Sequence, residues 1–128
     1  MKPNTLGLRH TALNVFDIDA CKNFYVDIFN MVVEWQPDAD NVYLTSGNDN
    51  LALHRVSKCE RERASQRLDH IGFFVKTPED VDAWFLFLKQ KNIKIIAQPK
   101  THRDGARSLY CADPEGTVIQ VIYHPPIS

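Results

Sequence analysis

Two histidines lie sixty residues apart in segments of similar sequence, and a pair of imidazoles placed in this way is a candidate metal site. His10 is the third residue of LRHTALNV at 8–15, and His70 is the third residue of LDHIGFFV at 68–75. The first leucine and the last valine of the two segments also coincide. Imidazole nitrogens are common ligands of divalent transition metals. The alternative is that each histidine is an ordinary strand residue that faces water.

A third residue that could do chemistry is Gln120, in the segment TVIQVI at 117–122. The other residues of that segment are all β-branched, a composition that favours a strand. The segment follows Asp-Pro-Glu-Gly at 113–116, which is typical of a turn. A buried amide without hydrogen-bonding partners costs about 2 kcal/mol or more. We therefore expect Gln120 to point to a site that offers polar partners.

A duplicated set of elements positions these residues. Besides the two histidine segments, Gln36-Pro37 recurs as Gln98-Pro99, and each half ends in an apolar-x-apolar strand. The spacing of apolar residues predicts strand, helix, strand, strand, strand in each half. The predicted strands are 6–15, 31–36, 41–46 and 50–56 in the first half, and 68–76, 93–98, 107–112 and 117–123 in the second. The predicted helices are 17–29 and the segment that begins with Thr77-Pro78-Glu79-Asp80, which is typical of a helix N-terminus.

Strand alternation assigns the candidate residues to faces of their sheets, because successive side chains point to opposite sides. In the first strand, Leu13 and Val15 are predicted to pack under the helix, which leaves His10 on the other face. The same alternation places His70 on the face away from the second helix. If the two halves pair about a pseudo-twofold axis, the two histidines become equivalent across it.

The overall composition excludes several classes of function. The chain has 128 residues, the size of one domain, with 44% apolar residues and a net charge of −1. This charge gives no reason to expect nucleic acid or an anionic membrane as a partner, and no apolar run approaches the about 20 residues of a membrane span. Residues 1–7 lack the apolar core of a signal peptide, so we expect a cytoplasmic protein. The three cysteines, Cys21, Cys59 and Cys111, lack the close spacing of a zinc site and are expected to be small buried residues.

Four segments together carry a family resemblance: LRHTALNV, NFYVDIF, LDHIGFFV and GARSLYCADPEGTVIQV. In these segments the chain resembles the vicinal oxygen chelate superfamily, also called the glyoxalase, bleomycin resistance and extradiol dioxygenase superfamily, from about Leu6 to Tyr123. The resemblance implies an α+β fold in which two tandem βαβββ modules form a cup-shaped mixed sheet. Within this single domain the modules are predicted at about 6–56 and 68–124, with the charged segment 57–67 as the linker.

The resemblance also implies where a metal ion would bind. Metal-binding members use residues of the first and last strand of each module, and the matching positions here are His10, Ala52, His70 and Gln120. Metal-dependent members usually carry Glu at the last of these positions, whereas an amide is a weaker, neutral ligand and cannot act as a base. The candidate ions are Zn, Ni, Mn or Fe, and His54, one pleat beyond Ala52, is the other residue nearby that could bind one.

Three further residues are candidates for catalysis. Three interpretations of His54 stay open: a third metal ligand, a general base near neutral pH, or an outward-facing residue at a strand end. Tyr110 is predicted to share a face with Ser108, where it could donate a hydrogen bond to a substrate oxygen or be an ordinary half-buried aromatic. Glu34, the only acid within a predicted strand of the first half, is a base or an exposed strand carboxylate.

Four residues are candidates for substrate binding. Trp35 and Phe74 could form an apolar wall of the cup, with core packing as the alternative. Arg103 and Arg107 lie in and after a loop that, in this superfamily, can close over the ligand. A cation in such a loop suits a carboxylate or phosphate group, and an ordinary polar loop is the alternative.

These observations support two hypotheses of different classes. In the first, the protein is a metal-dependent lyase, isomerase or dioxygenase-like enzyme that acts on a small oxygen-rich molecule in the cup. In the second, it is a metal-free protein that binds a small drug or metabolite, as in the bleomycin-resistance branch. The paired histidines favour the first hypothesis and the missing carboxylate favours the second. The resemblance further implies a homodimer, and the modules could pair within one chain or between two.

Overall fold

The computed structural model describes residues 4, 6, 8–57 and 68–125, and the chain divides into two compact units, Met1–Ser65 and Gln66–Ser128. Most of the predicted linker, from residue 58 to residue 67, and with it Cys59, lies outside the described residues. The first unit contains β1 (His10–Val15), α1 (Ile18–Phe29), β2 (Val32–Asp38), β3 (Asn41–Thr45) and β4 (Asn50–Arg55). The second unit contains β5 (Ile71–Phe74), α2 (Pro78–Gln90), β6 (Ile95–Thr101), β7 (Arg107–Ala112) and β8 (Val118–Tyr123).

The two units share one sheet topology. The strand order is β1-β4-β3-β2 in the first sheet and β5-β8-β7-β6 in the second. In each sheet the first strand of the unit runs parallel to the last, and the other neighbours are antiparallel. The predicted α+β fold of two βαβββ modules, each with a four-stranded mixed sheet, is confirmed.

The repeated Gln-Pro pair marks a bulge in each sheet. The pairing of β2 with β3 shifts between Trp35 and Asp38, around Pro37, and that of β6 with β7 shifts between Ala97 and Lys100, around Pro99. Proline has no N–H to donate to a strand ladder, so it is tolerated at bulges and on edge strands. Both strands continue past the proline, which is why they end later than the apolar pattern predicts.

The first strand of each unit is shorter than predicted. β1 begins at His10 rather than at residue 6, and β5 is confined to Ile71–Phe74 within the predicted 68–76. Leu8, which the alternation assigned to a strand, is 98% exposed. Ladder pairing extends over His10–Val15 in β1, opposite β4, and over Ile71–Phe74 in β5, opposite β8.

One face of each sheet packs against the helix of its own unit. In the first unit the buried side chains of this face include Leu13, Val42 and Leu53, and in the second they include Leu109 and Val121. The other side of each sheet is called here the open face, because the helix of that unit does not cover it. The open face carries the polar candidates, as strand alternation predicts.

The helices begin where local side chains satisfy their first N–H groups. Asp17 accepts a hydrogen bond from the backbone N–H of Ala20 at the start of α1. At the start of α2, Thr77 accepts from the N–H of Asp80, whose carboxylate accepts in return from the N–H of Thr77. This reciprocal pair is the capping box. Among the described residues, no helix is both long and apolar enough to cross a membrane.

Replacing Thr77 with Ala is expected to lower the free energy of unfolding by about 1 kcal/mol, because it leaves a helix N–H without its acceptor. Urea denaturation followed by circular dichroism measures this loss. Glu79→Ala, in the same turn but outside the capping box, is the control and should lose less. Equal losses for the two variants would mean that the capping hydrogen bond contributes nothing of its own.

Candidate functional site

Gln120 lies on the open face of the second sheet, between two strands. Its strand neighbours are Gly72 on β5 and Tyr110 on β7. A Cβ atom added to Gly72 would lie 4.0 Å from the Oε1 atom of Gln120, so the amide lies directly beside this glycine. The Gln120 side chain is half-buried and makes no hydrogen bond to the part of the chain that the structure describes. Its amide is therefore available to a ligand.

His70 lies beside this amide, just before β5. Its ring meets the Tyr110 ring edge-on, with 5.4 Å between centroids. Its Nδ1 atom lies 2.6 Å from Oδ2 of Asp69. A carboxylate oxygen only accepts, so Nδ1 carries a proton and donates, and in the neutral imidazole Nε2 then has the free lone pair. His70, Tyr110 and Gln120 thus form one polar group on the open face of the second unit.

His10 occupies the matching place in the first unit, on the open face of β1. Its Nδ1 atom lies 2.7 Å from Oδ1 of Asn50, which stands opposite it on β4. The Nδ2 atom of Asn50 donates in turn to Oε2 of Glu34, at 3.0 Å. These contacts again place the imidazole proton on Nδ1 and leave Nε2 as the lone-pair nitrogen. Ala52, the other candidate position of this unit, is fully buried and offers no ligand atom.

His54 is too far along the sheet to act as a ligand next to His10. The register pairs His10 with Asn50 and Asn14 with His54, so the two histidines stand four residues apart along parallel strands. At about 3.3 Å per residue this separation is about 13 Å. The Nδ1 atom of His54 lies 2.6 Å from Oδ1 of Asn41. The third-ligand interpretation of His54 therefore loses its basis, and the general-base interpretation stays open.

The two aromatic candidates for an apolar wall are exposed rather than packed in a core. Trp35 is 59% exposed and stacks on Tyr43, with 5.3 Å between ring centroids. The Tyr43 ring in turn meets His54 edge-on. Phe74 is 56% exposed and pairs with Ile122 on the open face of the second sheet. Both residues are therefore placed where a ligand could contact them, each within its own unit.

Arg107, which is predicted to bind a substrate, is bound to Asp82 of α2 in this structure. Its Nη2 and Nε atoms donate to the Asp82 carboxylate at 2.6 and 3.1 Å, and Nη1 donates to Oγ1 of Thr101 at 2.9 Å. The hydrogen bond from Arg107 lowers the pKa of Asp82 below its usual range. Strand alternation also puts Arg107 on the face opposite Tyr110. The guanidinium group therefore contacts α2 and does not point to the open face.

Arg103 remains a candidate because it lies at an exposed hairpin loop. Together with the end of β6, this loop forms a shallow surface hollow lined by Lys100, Thr101, His102, Arg103 and Asp104. The loop is shaped by Gly105, which adopts a φ of 90°, and by His102, whose Nε2 lies 3.1 Å from Oγ of Ser108. Arg103 makes no ion pair with any described residue, so its charge is available to an anionic group.

Two residues near the histidines escaped the sequence reasoning. Asn50 is a loop-like residue at the start of a strand, and Asp69 is the neighbour of His70, yet both hold an imidazole in place. The only signal for Asp69 is an acid directly before a strand histidine. Asn50 had no signal, because its role depends on the register between β1 and β4.

The donor atoms at the predicted metal-binding positions carry no formal charge. Two imidazole nitrogens and an amide oxygen are neutral, and the carboxylates of Asp69 and Glu34 lie one hydrogen bond or one amide further out. Among the residues that the structure describes, no group of three or more His, Cys, Asp and Glu side chains could hold a metal ion.

Cys111, on the helix-facing side of β7, is chemically protected. Burial, with a smaller contribution from the carboxylate of Asp113, raises the pKa of its thiol to about 12. Since the thiolate is the reactive form, we expect iodoacetamide at about pH 8 to leave Cys111 unlabelled in the folded protein and to label it in urea. Mass spectrometry of the peptides measures both. Labelling of folded Cys111 at the rate of a free thiol would contradict this burial.

Comparison with known families gives one match over most of the chain. Residues 7–121 match the model of the Glyoxalase/Bleomycin resistance protein/Dioxygenase superfamily. The chain is 29% identical over 118 residues to the metallothiol transferase FosB of Staphylococcus epidermidis, which covers 90% of this chain and 80% of that protein. It is 26% identical over 110 residues to FosB of Staphylococcus saprophyticus, which covers 86% and 72%.

Solved structures share the fold. The crystal structure of a lactoylglutathione lyase from Agrobacterium tumefaciens matches with a TM-score of 0.79 and 21% identity, covering 98% of this chain and 99% of that one. A glyoxalase/bleomycin resistance protein/dioxygenase from Alicyclobacillus acidocaldarius matches with a TM-score of 0.71 and 20% identity, covering 96% and 95%. At these identities the likeness establishes the fold alone.

Proposed function

The chain belongs to the Glyoxalase/Bleomycin resistance protein/Dioxygenase superfamily, and from this premise we propose that it is a metal-dependent enzyme that binds a divalent ion through His10, His70 and Gln120. The observation that carries the proposal is the state of the two imidazoles. Each has an acceptor at Nδ1, at 2.7 Å in His10 and 2.6 Å in His70. Metal-binding histidines are typically oriented in this way. His54 also has an acceptor at Nδ1, and His10 and His70 differ from it in lying at matching positions of the two repeated segments.

The proposed reaction is a thiol transfer or a lyase or isomerase step on a small oxygen-rich molecule. The FosB relatives are metallothiol transferases, which supports a thiol as one of the two reactants. A divalent ion would supply Lewis acidity toward substrate oxygens. A dioxygenase-like reaction has less support, because iron oxygenases of that kind use two histidines and a carboxylate, and the third position here is an amide.

The chain's own residues supply binding and proton transfer. Gln120 cannot accept a proton as a base, so the candidate bases on the open faces are an imidazole such as His54 and the carboxylate of Glu34. Tyr110 stands next to both His70 and Gln120, and its hydroxyl is suited to donate to a substrate oxygen. Arg103, in its exposed loop, is suited to pair with a carboxylate or phosphate group.

Elemental analysis of protein purified without a His tag tests the proposal. We expect about one transition metal per chain, or saturable binding of Zn, Ni, Mn or Fe by calorimetry after chelator treatment. Loss of a small thiol in the presence of electrophilic oxygen-rich compounds, read with a thiol-specific dye, then tests the reaction class. A protein that binds none of these ions after reconstitution would overturn the proposal.

The second candidate function is metal-free binding of a small molecule, as proposed from the bleomycin-resistance branch. It is favoured by one observation, the exposed stack of Trp35 on Tyr43, which offers a flat apolar surface. Quenching of Trp fluorescence by candidate ligands in the presence of a chelator distinguishes it from the first. We also propose a homodimer in the cytoplasm, and analytical ultracentrifugation tests the dimer.

A further inference from the structure

An amide connects a carboxylate to His10 on the open face of the first unit. The Oδ1 atom of Asn50 lies 2.7 Å from Nδ1 of His10, and its Nδ2 atom donates to Oε2 of Glu34 at 3.0 Å. An ionised carboxylate can only accept, so Asn50 has to turn its NH₂ group toward Glu34 and its oxygen toward the imidazole. The proton of a neutral His10 then has to lie on Nδ1.

The same arrangement occurs a second time on that face. Nδ2 of Asn41 donates to the Asp38 carboxylate at 2.9 and 3.3 Å, and its Oδ1 atom lies 2.6 Å from Nδ1 of His54. The two chains of contacts have no residue in common. His54 therefore offers a matched internal control, about 13 Å along the sheet from His10.

A bulge explains how Glu34 reaches Asn50. The pairing of β2 with β3 shifts between Val33 and Trp35, so that Glu34 is the extra residue beside the pair of Trp35 and Tyr43. In a bulge, two residues of one strand stand opposite one residue of the other. Glu34 and Trp35 can then both direct their side chains toward the open face, which regular alternation would forbid.

We infer that Glu34 and Asn50 are positioning residues for His10. Together they fix the imidazole as the tautomer with a lone pair on Nε2. Through the amide of Asn50 they also connect His10 to the negative charge of Glu34, whereas the proposed ligands themselves are uncharged. The part of this inference that concerns a metal ion rests on the proposed function. The part that concerns the tautomer does not, because it follows from the hydrogen bonds among His10, Asn50 and Glu34 alone.

The tautomer is measured by long-range ¹H–¹⁵N correlation of metal-free protein with labelled histidines, at about pH 8.5, where imidazoles are largely neutral. We expect His10 of the wild type to be protonated on Nδ1. In Asn50→Leu the Nε2-protonated form should become detectable. In Glu34→Leu the freed amide can rotate and present its NH₂ group to His10, so the same change is expected in a variant that alters only an exposed side chain.

Two further variants separate the roles. Glu34→Gln keeps an acceptor for Asn50, so the tautomer should stay while the charge disappears. Asn41→Leu should change the tautomer of His54 and leave His10 as it is. For metal affinity, we expect Asn50→Leu to raise the Kd about 10-fold or more, the usual effect of losing a partner of a metal-binding histidine. Glu34→Gln should raise the Kd less, and Asn41→Leu should not change it.

The outcomes are distinguishable. A wild-type His10 protonated on Nε2, or an unchanged tautomer in both Asn50→Leu and Glu34→Leu, overturns the inference. If the wild type binds an ion and Asn50→Leu binds it equally tightly, the role toward the metal is overturned while the proposed function stands. If the wild type binds no ion, the proposed function fails, and the tautomer measurement still decides whether Glu34 and Asn50 position His10.

Discussion

Replacing Gln120 with Glu is expected to tighten divalent metal binding about tenfold or more. The substitution keeps the length of the side chain and adds one negative charge at a position that faces the open side of the second sheet, next to Gly72 and Tyr110. Two opposite unit charges about 4 Å apart interact by about 4 kcal/mol at an effective dielectric constant of about 20. A tenfold change needs only about 1.4 kcal/mol of this, which leaves a margin for the desolvation of the carboxylate.

The control for this prediction is a second Gln→Glu change on the far side of the unit. Gln90 is exposed at the C-terminal end of α2, which packs on the opposite face of the same sheet. Gln90→Glu alters the net charge equally and should leave the Kd unchanged. Calorimetry with each variant measures the difference. If Gln120→Glu and Gln90→Glu bind the ion as the wild type does, Gln120 is not a ligand.

The faces of the candidate side chains could be predicted from sequence because the strand period is two and one face of each sheet is buried. A shift of one residue would expose the buried leucines and valines, so the apolar pattern fixes the register. Leu13 and Val15, buried on the helix side of β1, determine that His10 lies on the open face. The turn before β8 could also be predicted from sequence. In the structure the side chain of Asp113 stabilises it by accepting hydrogen bonds from the N–H groups of Glu115 and Thr117.

The contacts that hold the candidate site could not be predicted, because they depend on pairings between distant segments. Arg107 looked like a loop cation until α2 brought Asp82, twenty-five residues earlier in the chain, within hydrogen-bonding distance. Glu34 read as an exposed strand carboxylate, and only the bulge beside it directs it to Asn50. A local sequence pattern does not show how a helix packs on a strand, and it does not show where a bulge adds a residue to one strand of a pair.

Removing either first-strand histidine is expected to weaken metal binding by more than about 100-fold, whereas removing His54 should leave the Kd unchanged. His10→Ala and His70→Ala each delete a nitrogen that is already oriented by an acceptor at Nδ1. Losing a residue that only supports a ligand costs about 10- to 100-fold in affinity, so losing the ligand itself should cost more. His54 has the same kind of acceptor, Asn41, and differs only in its place on the sheet.

Comparing these three histidine variants separates the effect of where the imidazole lies on the sheet from the effect of losing an imidazole. All three variants delete an imidazole from an open face or its edge, and each of the three rings has its Nδ1 atom engaged. Thermal unfolding of the metal-free variants checks that the fold is retained. If the Kd rises in His10→Ala and His70→Ala but not in His54→Ala, both first-strand histidines are ligands of the ion. If it rises in only one of the first two variants, the other first-strand histidine is not a ligand, and the duplicated histidines have separate roles.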